Sequence, residues 1–331
     1  MSAMPKSTIP LVLAVTLAVQ AAAAQAPRSS PIFLFHTNEV WLNLHHYLYV
    51  LGRAHAKTAD ASRDAVAGAP ADEARGLERL TDAERAAWSD AVVFYANGPG
   101  KKDLIFDDPL AAAALALAGA ADAASLPGTG IDAGMSAALG RAAPIYRKAW
   151  WPQHQAANRA RQAEWQALVD RYGQQILTRI TAAYGMEWPA AGYHVHVSGF
   201  SNWAGAYSTD GNLLVMSSLA AENRGDQGLE IAFHEAMHQW DSAIQSLLVA
   251  EVRRIGKRLP PNVSHAMIFF TAGDTVRHVV PGHVPYADVA GVWDRGFATF
   301  KGPLEETWKP YLDGKGTRDE AIAALVARVA R

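Results

Sequence analysis

His234-Glu235-Ala236-Met237-His238 is the stretch of this chain whose residue types and spacing can do chemistry. Two histidines at i and i+4 of a helix lie about 40° apart around the axis and roughly 6 Å apart along it, so both imidazoles reach one Zn²⁺ from the same face. A glutamate beside the first of them is placed as a general base toward a water activated at that ion. The chain's own His and Glu frequencies give roughly 0.02 expected occurrences of H-E-x-x-H, so chance accounts for it poorly. The flanking Ile231, Ala232, Phe233, Gln239 and Trp240 are uncharged, as a buried metal-bearing helix requires.

A catalytic zinc needs a third protein ligand. Capping and breaker signals predict that the helix bearing this segment runs from Asp226 to Ile255 and stops at Gly256. Pro260-Pro261 turns the chain, and Asn262 or Ser264 caps a second helix. If that helix returns antiparallel, the position level with His238 falls near residue 279. Asp274 and His278 stand close to that level and share one face, and Asp274 is the favoured ligand. His265 qualifies only if the first helix breaks near residue 251; His278 and Glu251 are further candidates. Asp241, three residues after His238, is placed to support that imidazole from behind.

The elements that position these residues read as helices first and strands late. Residues 37–52 have the 3-and-4 apolar spacing of an amphipathic helix ending at Gly52, and its His45-His46 pair points about 100° apart, too divergent to chelate one ion. Thr81 and Glu84 form a capping box that opens a helix ending at Asn97-Gly98. Helices are also expected over 109–124 and, with an early interruption at Pro152, over 149–184. At Tyr193 the period becomes two: 193–198, 204–209 and 212–217 read as strands of a small antiparallel sheet, the last two joined through Asp210-Gly211. His194 and His196 then share one strand face, where polar residues on the wet side of a sheet are the plainer reading. Helices return after 226, the last capped by Thr317 and Glu320.

With a small sheet followed by an H-E-x-x-H helix and a returning helix, residues 193–283 resemble the zincin metallopeptidases. In the metzincin subgroup a glycine and a third histidine would stand where this chain has Asp241 and Ile244, so the resemblance is to the gluzincin or aspzincin style, in which a carboxylate on the following helix completes the site. The resemblance implies an α+β, helix-rich fold and hydrolysis of peptide bonds, with His234, His238 and Asp274 on Zn²⁺, Glu235 as base, and Tyr286, His265 or His278 steadying the oxyanion. It says nothing of the helices in 27–190.

Composition narrows the choice of function. Half the residues are hydrophobic and 19% charged, which excludes a disordered chain. The net charge of -2, without a basic run, argues against nucleic acid, and the absence of Cys removes thiolate ligands and nucleophiles. Lys6, an apolar run over 9–19 and Ala24-Gln25-Ala26 read as a signal peptide over 1–26, with no membrane span after its removal. The expected organisation is therefore a leader, a helical region over 27–190 and a zincin-like region over 191–331. The expected protein is a periplasmic or secreted zinc metallopeptidase acting on peptides or proteins. The competing readings are an exported, non-catalytic binding or scaffold protein, against which the presence of Glu235 argues, and a zinc hydrolase of a non-peptide amide.

Overall fold

The computed structural model of the chain describes residues 30–331 except 121–123, 127, 129 and 210–212. The expected signal peptide and the expected Asp210-Gly211 turn lie outside the described residues. Four strands, β1 (Phe33–His36), β2 (Tyr193–Ser198), β3 (Ala206–Thr209) and β4 (Leu213–Ser217), form one sheet in the order β1-β2-β4-β3. The sheet is mixed rather than antiparallel: β1 pairs with β2 and β2 with β4 in parallel, while β3 and β4 form the expected antiparallel pair. Because β3 folds back outside β4, β4 returns to the direction of β2.

Burial explains the sequence of β4. All five of its residues are buried; Leu214 and Met216 enter one hydrophobic cluster, and Leu213 and Val215 enter another on the opposite face. Strands covered on both faces read as apolar runs rather than as alternation.

On one side of the sheet lie α1 (Val40–His55), α2 (Asp82–Asn97), α3 (Asp108–Gly119) and α4 (Ala133–Ala149), which supply the second cluster. Gly52 lies inside α1 rather than at its end. A Cβ there would come 2.8 Å from the Tyr95 carbonyl carbon, so glycine permits the close crossing of α1 and α2. The Thr81–Glu84 capping box opens α2 as expected. His45 and His46 are fully buried, each bonded to a tyrosine: His45 Nδ1 to the Tyr95 hydroxyl at 2.9 Å, His46 Nε2 to that of Tyr207 at 2.8 Å.

Pro152 sits in the first turn of α5 (Trp151–Leu168), a position where its missing N–H costs nothing. A π-helical turn, Val169–Gly173, joins α5 to α6 (Gln174–Tyr184). Beyond the sheet come α7 (Gly225–Met237), α8 (Asp241–Arg254), α9 (Val263–Val279) and, after several short turns, the capped α10 (Arg318–Val329). These helices supply the first cluster, on the other face of the sheet, where α7 packs on β3 and β4. The molecule is α+β and mostly helical. Residues 31–331 form one compact unit, so the regions over 27–190 and 191–331 meet in a shared sheet. Among the described residues no helix is long and apolar enough to cross a membrane.

Candidate metal centre and cleft

The helix expected to run unbroken from 226 to 255 stops at Met237. A 3₁₀ turn, His238–Trp240, follows, and the chain restarts as α8 with Asp241 in its first turn, where an acidic side chain suits the helix dipole. This break changes which residue of the next helix lies level with His238.

Across this turn α9 packs antiparallel directly on α7. Phe269 lies over His234, ring centroids 4.1 Å apart, and one turn further His265 lies beside His238, 4.8 Å apart. One turn in the other direction, Glu230 faces Gly273. His265 is therefore level with His238. His234, His238 and His265 each offer a nitrogen, and these nitrogens lie within 4.8 Å of one another.

Asp274, favoured from the sequence, is not part of this group. It sits more than two turns further along α9, about 13 Å away along the axis, and its buried carboxylate pairs with Arg277 at 2.6 Å and Lys309 at 3.4 Å. His278 is exposed near the far end of α9. Glu251 is on α8, bound to Arg254 at 2.6 Å. Residue 279 would be level with His238 only beside a continuous first helix, and the break at 238–240 removes that continuity.

The donor set could hold a metal ion. Burial, reinforced by the charges of His238 and His265, holds His234 well below the usual histidine range, and burial with the His238 charge holds His265 at about 4, so both are neutral imidazoles at pH 7. Burial also opposes charge on His238, but the hydrogen bond to Asp241 and the charges of Glu235 and Asp241 outweigh it and raise its pKa. Asp241 Oδ2 lies 2.7 Å from His238 Nδ1, which leaves Nε2 for a ligand, the carboxylate–histidine arrangement common behind metals. The buried His234 Nδ1 has no hydrogen-bond partner. Phe269 stacks on His265 at 4.7 Å and Phe297 meets its edge at 5.5 Å, fixing that ring.

Glu235 points into the same space. Its Oε2 accepts a 2.8 Å hydrogen bond from the Ser208 hydroxyl on β3, a contact the sequence hinted at only through strand alternation. Burial raises its pKa, against the opposing pull of the His238 charge and the Ser208 bond. The group lines a cleft of about 1490 Å³, walled by β3, by α3 and the turn before it, and by Tyr286, Val289, Val292 and Phe297. β3 is an edge strand, and residues 206–209 line the cleft. Tyr286 also lines it; burial, with the charge of Glu222, raises the phenol's pKa. The chain matches no family model, no curated protein and no solved structure.

Proposed function

We propose that this protein is a metal-dependent hydrolase of peptide bonds, with zinc held by His234, His238 and His265. The observation that supports this most is the convergence of three imidazole nitrogens beside a carboxylate at the wall of a large cleft. Three histidines are one of the donor sets of catalytic zinc sites, in which a further position stays open. Zinc bound there would supply Lewis acidity, acidifying water to a pKa of about 7 and polarising a carbonyl. Asp241 orients His238 for that task.

Glu235 takes the proton of the attacking water and returns it to the leaving amine nitrogen. Its burial makes the carboxylate a stronger base, and the Ser208 bond to Oε2 fixes its plane. The open edge of β3 supports a peptide substrate, because an extended backbone can add to it by main-chain hydrogen bonds. Of Tyr286, His265 and His278 as donors to the oxyanion, His265 is taken by the metal group and His278 is off the cleft. Tyr286 is left for that role. The leader-like residues 1–26 support export to the periplasm or the medium.

The test is Glu235→Gln, measured for bound zinc and for cleavage of a peptide library. Zinc should stay near one equivalent while cleavage falls by about 10² to 10⁴-fold. Equal cleavage by variant and wild type would refute Glu235 as base; zinc binding without hydrolysis in either protein would favour a binding protein.

A further inference from the structure

We infer that the buried pair Glu230–His283 is a positioning device that fixes Tyr286 against the cleft. This rests on the hydrolase reading. Glu230 stands one turn before His234 on α7, and both partners are about 1% exposed. Its Oε2 accepts from His283 Nε2 at 2.5 Å and from the backbone N–H of Tyr286 at 2.8 Å. Gln227, three residues earlier on the same face, donates from Nε2 to the Val284 carbonyl at 2.7 Å. The segment from His283 to Tyr286 is thereby tied three times to the helix that bears His234 and Glu235.

The opposite side is closed by α9. A Cβ at Gly273 would come 2.7 Å from the Cβ of Pro285 and 3.1 Å from Glu230 Oε1, so the segment is wedged between α7 and α9 with no room for a side chain. From this anchor the chain runs on as the cleft wall, through Tyr286, Val289, Ala290 and Val292.

A buried ionisable pair is a poor way to gain stability, since apolar residues of equal volume usually hold a segment as well or better. What it supplies is a single geometry: a carboxylate with two directed donors tolerates little displacement. The backbone so fixed carries the Tyr286 phenol, the donor proposed above for the oxyanion, where a misplacement of about 1 Å can cost 10²-fold in rate.

The experiment compares wild type, Tyr286→Phe, Glu230→Gln and the double variant for zinc content, kcat and KM. Tyr286→Phe should lower kcat by about 10²-fold with zinc unchanged. Glu230→Gln should lower kcat by at least about tenfold, mostly sparing KM, and should add less than about twofold to the loss in the Tyr286→Phe background, because both act through one hydroxyl. His283→Gln, which keeps an amide donor, should lose less of the rate than His283→Ala. Independent losses that multiply would overturn the assignment, as would loss of zinc or of cooperative unfolding in Glu230→Gln.

Hydrogen exchange at the Tyr286 amide judges the clamp without any activity. It should be protected in wild type and at least about tenfold faster in Glu230→Ala, and equal exchange overturns the clamp. If wild type cleaves nothing, the hydrolase reading falls and with it the role of Tyr286, whereas an active wild type with multiplicative losses sinks the positioning role alone.

Discussion

Two trios of histidine occupy this molecule, and they behave differently. His234, His238 and His265 come from two antiparallel helices, and their rings meet at 85°, 35° and 73°. His36, His194 and His196 come from the adjacent parallel strands β1 and β2, and their rings lie nearly flat on one another, at 4°, 17° and 21°. In the strand trio the nitrogens serve each other and a carboxylate: His36 Nε2 lies 2.8 Å from His194 Nδ1, and His196 Nδ1 is 2.8 Å from Glu39. Among the described residues, the helical trio is the group whose ligand atoms converge. Strand alternation repeats one orientation along a face, so equivalent rings stack. Helical spacing with an opposed helix turns rings toward a common point.

The sharpest way to break that contrast is to remove the imidazole supplied by α9. His265→Ala should reduce zinc affinity by more than about 10²-fold, beyond the loss typical of outer partners, and should abolish cleavage. Asp274→Asn, by comparison, should leave zinc in place. Zinc retained by His265→Ala in elemental analysis would return the third position to another group.

Acid should test one member of each trio together with the buried His45. Burial, aided by neighbouring imidazoles, holds His36 at about 4, and burial holds His45 and His265 there too. Between pH 6.5 and 4 the unfolded chain takes up protons that these folded imidazoles refuse, so stability falls as the pH drops through that window. For the fully buried His45 alone the loss reaches about 3 kcal/mol at pH 4. Denaturant midpoints of the metal-free protein should therefore decline from pH 7 to 4.5; a flat profile would contradict the burial of these rings.

A smaller effect separates ligand from support. Asp241→Asn keeps a hydrogen bond to His238 but loses the charge, and zinc affinity should fall by about 10 to 10²-fold in competition with a chelator. The smallest effect should come from the strand trio. Replacing His36 and His194 by Asn should leave zinc stoichiometry unchanged and shift stability by about 1 kcal/mol or less, as expected of partly exposed polar residues. A lost equivalent of zinc would mean that stacked rings can rearrange into a site.

What the sequence disclosed follows the range of the forces involved. His234, Glu235 and His238 were legible because i, i+4 spacing is local, and so were the capping boxes at Thr81 and Thr317, both present. His265 could not be ranked first, because its level depends on where α7 stops. No proline or glycine marks the 3₁₀ turn at His238–Trp240; Asp241 at the start of α8 was the one available cue. β1 escaped for a related reason. Phe33-Leu34-Phe35-His36 is short and lacks alternation, and its partner is remote.

That remoteness matters for how the chain acquires its fold. His36 meets His194 across 158 residues, so β1 is held without a partner while everything up to β2 is made, and such distant pairings form late and slowly. Until then β2 presents a bare edge on which another copy can add a strand. All three imidazoles and the base lie beyond residue 230, yet a fragment starting at 191 would keep that edge open and lose α1 from the face of its sheet. The candidate metal site is local in its atoms and global in its folding.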